Sequence, residues 1–271
     1  VTHGRAEIGR LLEQHGLAPR RSRGQNFVAD ANTVRRIARL AGTGPGDRVV
    51  EVGPGLGSLT LALAETGAEI LAIEVDNGLV AALREVLDGV PNVEVVHADA
   101  MEYDWAQLQA RSGDWHLVAN LPYNIATPLV ADVLDHTPWV THLLVMVQRE
   151  VADRLVAAPR TPAYGAVSVK IAYWAEARIV GVVPASVFVP RPNVESALVE
   201  IRRRPAPGAT ANSAAMFTLV RAGFGQRRKM LRRSLAGLVA PEAFAMAGID
   251  PQQRAEELGV AEWVRLAEAS Q

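Results

Sequence analysis

Glu51-Val-Gly-Pro-Gly-Leu-Gly57 is the stretch on which the fold turns. An apolar run of strand length, 48–52, leads straight into it, and a helical pattern starts at Ser58. Glycines at 53, 55 and 57 let the backbone turn sharply and let a ligand approach the main chain closely. A dinucleotide fingerprint requires G-x-G-x-x-G, but position 58 is serine and the spacing here is G-x-G-x-G. That form suits a nucleoside ligand without a pyrophosphate, such as S-adenosylmethionine (SAM). Read alone, the loop also fits a plain tight turn between strand and helix.

Outward from the loop, strands and helices alternate. Apolar runs at 48–52, 69–75, 93–97, 115–119 and 142–147 have strand length, and 59–65, 79–87 and 129–134 repeat at helical spacing. Alternation of this kind implies right-handed crossovers and a mostly parallel, doubly wound α/β sheet. After Glu150 the pattern changes. Residues 178–183 and 197–202 read as late strands joined by a Pro-rich loop, Pro184 to Pro192, which suggests a terminal hairpin. Pro205 to Asn212 is a shift in composition that reads as a linker. Only helices follow, with Ser213 and Asp250 as expected caps and Pro241 and Pro251 as expected first-turn prolines. The expected division is 1–204 for an α/β domain with a basic N-terminal segment, and 205–271 for a small helical domain.

Two carboxylates join the glycine loop at strand ends. Glu74 closes the second strand, where a carboxylate can accept hydrogen bonds from both ribose hydroxyls; Asp76 is the rival for that role. Asp99 follows the third strand, placed to bind the exocyclic amine of a cofactor adenine, or alternatively to cap a helix. Gly53 and Gly55, Glu74 and Asp99 thus meet at the carboxyl ends of successive strands, the crevice where open α/β sheets bind ligands.

Composition sets the limits. The chain has 271 residues and no cysteine, so it forms neither a disulfide framework nor a Cys-based zinc site. The six histidines show no metal-ligand spacing, and His136 and His142 read as surface or satisfied residues. No metal is expected. The segment 1–23 is polar and basic with no apolar run fit for a signal peptide, and no 18-residue apolar stretch suggests a membrane span. Net charge is −1, yet positive charge clusters locally: Arg20, Arg21 and Arg23; Arg35, Arg36 and Arg39; Arg202 to Arg204; and Arg221 with Arg227, Arg228, Lys229, Arg232 and Arg233. Phosphate binding depends on such local charge rather than on the average. Within the last group, Gln226-Arg-Arg-Lys229 reads as opening a basic helix with Arg232 and Arg233, without acidic partners at helical spacing.

The fourth strand ends in Asn120-Leu-Pro-Tyr123, which resembles the N-[L/I]-P-[Y/F] motif of adenine-N6 methyltransferases. In detail the chain resembles the KsgA (RsmA) family of ribosomal RNA adenine dimethyltransferases. The resemblance is carried by Gly24-Gln-Asn-Phe27, the Gly53 loop, Asn120-Leu-Pro-Tyr-Asn124, Tyr164-Gly165, Phe188-Val-Pro-Arg-Pro192 with Val194 and Ser196, Gln226-Arg-Arg-Lys229 and Gly248-Ile-Asp-Pro251. It implies a Rossmann-like SAM-dependent methyltransferase core with a small C-terminal helical domain. The Asn120 side chain and the Leu121 carbonyl would accept the target amine's hydrogen bonds within the turn that Pro122 shapes. Tyr123 would stack on the flipped adenine and Phe188 would close its other face. Asn26 and Val28 would contact SAM from the N-terminal segment, and Asn120 would touch both cofactor and target. Arg227, Arg228, Lys229, Arg232 and Arg233 would dock on RNA. The implied substrate is a pair of adjacent adenines near the 3′ end of 16S rRNA within the small ribosomal subunit, modified during its maturation. The implied enzyme is a cytoplasmic monomer whose absence is associated with kasugamycin resistance. The rivals are an Erm-type 23S rRNA methyltransferase giving macrolide resistance, a non-catalytic assembly factor and, more distantly, an NAD-dependent oxidoreductase.

Overall fold

The computed structural model describes residues 2–20, 24–111, 113–205 and 213–271. Along the chain run α1 (Arg5–Gln14), β1 (Phe27–Val28), α2 (Ala31–Ala41), β2 (Arg48–Val52), α3 (Ser58–Ala64), β3 (Glu69–Glu74), α4 (Asn77–Val86) and β4 (Val93–His97). There follow α5 (Ala106–Gln109), β5 (Trp115–Asn120), α6 (Ala126–His136), β6 (Val140–Gln148), α7 (Arg149–Leu155) and α8 (Ala166–Trp174). Last come β7 (Ala175–Val183), β8 (Phe188–Val189), β9 (Ser196–Arg203), α9 (Ser213–Gly225), α10 (Leu231–Ser234), α11 (Pro241–Ala247) and α12 (Val260–Ala269). The chain forms two units: Val1–Ala152 with Arg178–Arg203, and Asp153–Ala177 with Arg204–Gln271.

The first unit is built on a seven-stranded sheet of order β4-β3-β2-β5-β6-β9-β7. β2 pairs in parallel with β3 and β5, as do β3 with β4 and β5 with β6, while β9 returns antiparallel to β6. Order reverses between β2 and β5, which opens a crevice at their carboxyl ends. Both faces of the central strands are covered, so β3 and β6 read as continuous apolar runs rather than alternating ones. Each fully buried Val, Leu or Ile there stabilises the sheet by roughly 1.5–3 kcal/mol. Local signals fix the helix starts. Asp30 caps α2 through Thr33 N at 2.6 Å, and Asp76 caps α4 through Gly78 N at 3.0 Å.

Three features depart from the sequence reading. The segment expected to be merely polar and basic contains α1, an amphipathic helix that buries Ile8, Leu11 and Leu12. β1 and β8 pair antiparallel, with Phe27 opposite Val189 and Val28 opposite Phe188, so the Pro-rich loop between β7 and β9 is more than a hairpin connection. Residues 153–177, assigned to the α/β domain by the expected break at 204, belong to the second unit. The reason is packing: Tyr164, Val169 and Tyr173 are buried in one core with Met216, Phe217, Leu231, Phe244, Leu258 and Trp263. Tyr164 also donates its hydroxyl to Leu258 O at 2.9 Å.

Within that second unit Pro241 takes the first turn of α11 as expected. Asp250 does not cap a helix. Its Oδ1 accepts from Gln252 N at 2.8 Å in a local turn, and the next helical turn starts at Ala255. Arg21 and Arg23 of the N-terminal basic cluster and residues 206–212 of the expected linker lie outside the described residues. Among the described residues no helix is long and apolar enough to cross a membrane. Nor does any group of three or more His, Cys, Asp or Glu among them stand where it could hold a metal ion.

Candidate active site

A cavity of about 100 Å³, open to solvent, sits in the crevice at the ends of β2, β3, β4 and β5. Asn26, Val28, Gly53, Gly55, Glu74, Asp99, Asn120 and Pro122 all line it, so every expected cofactor residue meets in one place. The glycines are required there. Gly53 and Gly55 hold φ of 70° and 60°, a region that side-chain-bearing residues rarely adopt. A Cβ on Gly53 would lie 3.3 Å from Pro122 Cδ, and one on Gly55 only 2.9 Å from the Phe27 ring. The loop is therefore pinched between β1 and the Asn-Leu-Pro-Tyr turn.

Glu74 fastens the loop to β3. Its Oε2 accepts from Gly55 N at 3.1 Å and its Oε1 from Asp76 N at 2.9 Å. Burial raises its pKa, and the two amides oppose that rise. A carboxylate has acceptor capacity beyond these two bonds, and Glu74 lines the cavity. Asp76 is committed elsewhere: it caps α4, and its Oδ2 lies 3.4 Å from Gln25 Nε2 and 3.6 Å from Arg20 Nη1. Exposed Asp99 accepts from Met101 N at 2.9 Å in its own turn while lining the cavity.

Glu51 was not singled out in the sequence, although an acidic residue inside Val49-Val50-Glu51-Val52 is the signal that could have found it. It is buried to 1% exposure, and its Oε2 has no partner among the described residues; the same holds for the Ser58 hydroxyl. Both line the cavity. Buried polar atoms without partners are costly, so this floor fits a ligand that carries polar groups of its own, as the methionine part of SAM does. Burial, with a smaller push from Glu74 and against an opposing pull from the nearby Thr60 hydroxyl, lifts the Glu51 pKa from 4.5 to about 8. The folded chain therefore keeps a proton between those values that the unfolded chain has lost. Stability contributed by this proton is complete below pH 4.5 and is lost as pH rises through about 8. Glu51→Gln removes that loss. Measured by thermal unfolding without cofactor, its stability relative to the native chain should rise by roughly 2–4 kcal/mol between about pH 5 and pH 9. A difference independent of pH would show that Glu51 is ionised in the fold.

The turn after β5 is tied down at both ends. Asn120 Nδ2 donates to Asn26 O at 3.0 Å, and Asn26 Nδ2 donates to Gly24 O at 3.1 Å. A carbonyl can only accept, so this bond fixes the Asn120 amide with its nitrogen toward Asn26 and leaves Oδ1 as an acceptor with no partner among the described residues. Leu121 N donates to Met146 O at 3.1 Å. At the far end the Tyr123 hydroxyl lies 3.1 Å from Ser196 Oγ. Tyr123 is half-buried, and its phenol pKa is raised by burial against the opposing Ser196 bond. A Cβ on Gly24 would lie 3.0 Å from Tyr123 N, which explains a glycine at that position.

Phe188 departs from expectation. Its ring is wholly buried in the core with Val28, Val34, Val118 and Leu198, because pairing of β8 with β1 turns it inward. In this structure it supports β1 and presents no exposed face.

The basic stretch of the second unit is not one helix. Arg221 lies on α9, which ends at Gly225; residues 226–229 form a turn and Met230 bridges to Arg254, so of the residues from Arg227 on, Arg232 and Arg233 lie on a helix, α10. Arg227 has an acidic partner after all: Nε lies 2.7 Å from Glu256 Oε2, and Nη2 donates to Pro162 O at 2.9 Å. Glu256 is distant in sequence, and helical spacing does not reveal it. Arg228, Lys229, Arg232 and Arg233 are exposed with no side-chain partner among the described residues. The run 202–204 is structural: Arg202 pairs with Glu200, Arg204 with Glu176, and Arg203 donates to carbonyls at the end of α6 and the start of β6. Exposed His136 lies beside Asp132. His142 is buried against His116 and Glu200, and burial pushes its pKa down to about 4.

Comparison with known proteins agrees with this geometry. The chain is 48% identical to the ribosomal RNA small subunit methyltransferase A of Cutibacterium acnes, over 97% of this chain and 93% of that protein. The crystal structure of a dimethyladenosine transferase from Plasmodium falciparum shares the fold at a TM-score of 0.75, with 21% identity, 88% of this chain and 94% of the other being covered. The crystal structure of the 23S rRNA methyltransferase ErmE matches at a TM-score of 0.68 and 29% identity, covering 90% and 99% of the two chains. The family described as ribosomal RNA adenine dimethylase matches residues 16–271, and to that family this chain belongs.

Proposed function

We propose that the chain transfers methyl groups from SAM to the N6 amines of two adjacent adenines near the 3′ end of 16S rRNA, acting as a cytoplasmic monomer during maturation of the small ribosomal subunit. The observation that carries this reading is the orientation of Asn120, which lines the cavity and whose amide nitrogen donates to Asn26 O, so that Oδ1 remains as an acceptor. An adenine amine is a poor nucleophile because its lone pair is delocalised into the ring. Hydrogen bonds accepted by Asn120 Oδ1 and the Leu121 carbonyl let the nitrogen pyramidalise and present that pair. SAM, when bound, supplies a methyl group on a positively charged sulfur.

Everything else this chain does is positioning. Glu74 holds the ribose side of the cavity, Asp99 accepts from an amine at its rim, and Asn26, Val28 and the Gly53 and Gly55 main chain close around the ligand. Tyr123 offers a face to the extruded base, a stack worth roughly 1–3 kcal/mol. Kinship favours the small subunit, since the relative named for it is 48% identical and the 23S enzyme only 29%. An oxidoreductase is disfavoured by the loop spacing, and a purely non-catalytic factor by the complete cavity. The test is product identity. Subunits from a strain lacking the modification, incubated with the protein and SAM and then digested, should yield N6,N6-dimethyladenosine; monomethyladenosine alone, or none, would contradict the reading.

RNA docking is assigned to Arg228, Lys229, Arg232 and Arg233, with Arg227 held by Glu256 as a support for that surface. Phosphate contacts release counterions, so changing those four residues to Ala should flatten the log–log salt dependence of subunit binding by roughly 2–4. An unchanged slope would make this surface an ordinary solvated one.

A further inference from the structure

The cavity occupies the ends of β2 to β5, which leaves the β6 and β9 side of the same edge for the target base. Tyr123 reaches across that side to Ser196, the first residue of β9, which lies opposite Gln148 at the end of β6. Ser196 has 0% exposure and opens a strand whose next residues, Ala197, Leu198 and Val199, are apolar and equally buried. A hydroxyl in such a place is costly unless it is paired, and its partner is the Tyr123 hydroxyl. Packing alone leaves a half-buried ring free to pivot about its two side-chain torsions. Anchoring the hydroxyl at its tip fixes the direction of the ring's long axis, and with it where the ring stands.

We infer that Ser196 is a positioning residue that holds the tip, and so the long axis, of the Tyr123 ring against which the extruded adenine lies. This rests on the reading of Tyr123 as the stacking face. Two hydrogen bonds to separate segments then define the base site: Asn120 to Asn26 sets the acceptor for the amine, and Tyr123 to Ser196 sets the face. The geometry also accounts for a serine at the start of an otherwise apolar strand end.

The test is single-turnover methyl transfer to unmethylated small subunits by Ser196→Ala, Tyr123→Phe, the double variant and Tyr123→Ala. Tyr123→Phe keeps the ring and removes only its anchor, and it reads the same bond should Ser196→Ala fold poorly. Each single anchor variant should slow transfer by roughly 5- to 20-fold, with SAM affinity and the KM for subunits within about twofold, since misplacement acts on the chemical step. The double variant should be no slower than the slower single one, because both changes remove one interaction. Multiplying losses, or full rates for Ser196→Ala and Tyr123→Phe beside an inactive Tyr123→Ala, would overturn the inference and leave the stacking reading standing. A full rate for Tyr123→Ala would overturn the stacking reading, and this inference with it.

Discussion

Replacing Asn120 with Ala is expected to slow methyl transfer by roughly 10²–10³-fold, the usual cost of removing one preorganised hydrogen-bonding group from a reacting centre. SAM affinity should weaken by less than about tenfold, because the ribose and adenine contacts assigned to Glu74 and Asp99 persist. The asymmetry follows from geometry. Asn120 Nδ2 serves the protein, holding Asn26 O at 3.0 Å, while Oδ1 is left for substrate. Removing the side chain therefore takes the acceptor from the amine and also loosens β1 at the mouth of the cavity. Single-turnover transfer of labelled methyl, beside calorimetric titration with SAM, separates the two effects. A variant with the native rate would sink the proposed amine contact.

Glu74→Ala should have the opposite signature, a loss of SAM affinity of about 100-fold or more. Two backbone amides, Gly55 N and Asp76 N, lose their side-chain acceptor in a residue buried to 4% exposure. Each unpaired buried amide costs about 1–3 kcal/mol, so the glycine loop loses its fixed position at the same moment as the ribose loses its acceptor. Glu74→Gln keeps one carbonyl oxygen and should lie between the two. Titration with SAM reads the affinity, and thermal unfolding without SAM reads the loop's share. Native SAM affinity in Glu74→Ala would exclude Glu74 from the ribose site.

The sheet and the cofactor crevice were legible in the sequence because their signals are local. A glycine loop between an apolar strand and a helix, with carboxylates ending neighbouring strands, specifies topology and ligand side together. What the sequence hid depends on contacts between distant residues. β1 and β8 have two residues each, too short to show a period. Their pairing turned Phe188 into core, and the tertiary partner of Arg227 lies at Glu256. Residues 153–177 joined the second unit through Val169 and Tyr173, whose apolar character suits either unit. Glu51 passed unread because burial and a missing partner, rather than its position in a motif, make it notable.

Substrate choice is the most direct trial of the account. The protein should be incubated with labelled SAM, unmethylated small subunits and protein-free 23S rRNA, and the modified adenines then mapped. The account predicts label confined to two adjacent adenines near the 3′ end of 16S rRNA. Label in 23S rRNA, or no label in either RNA while SAM still binds, would contradict it.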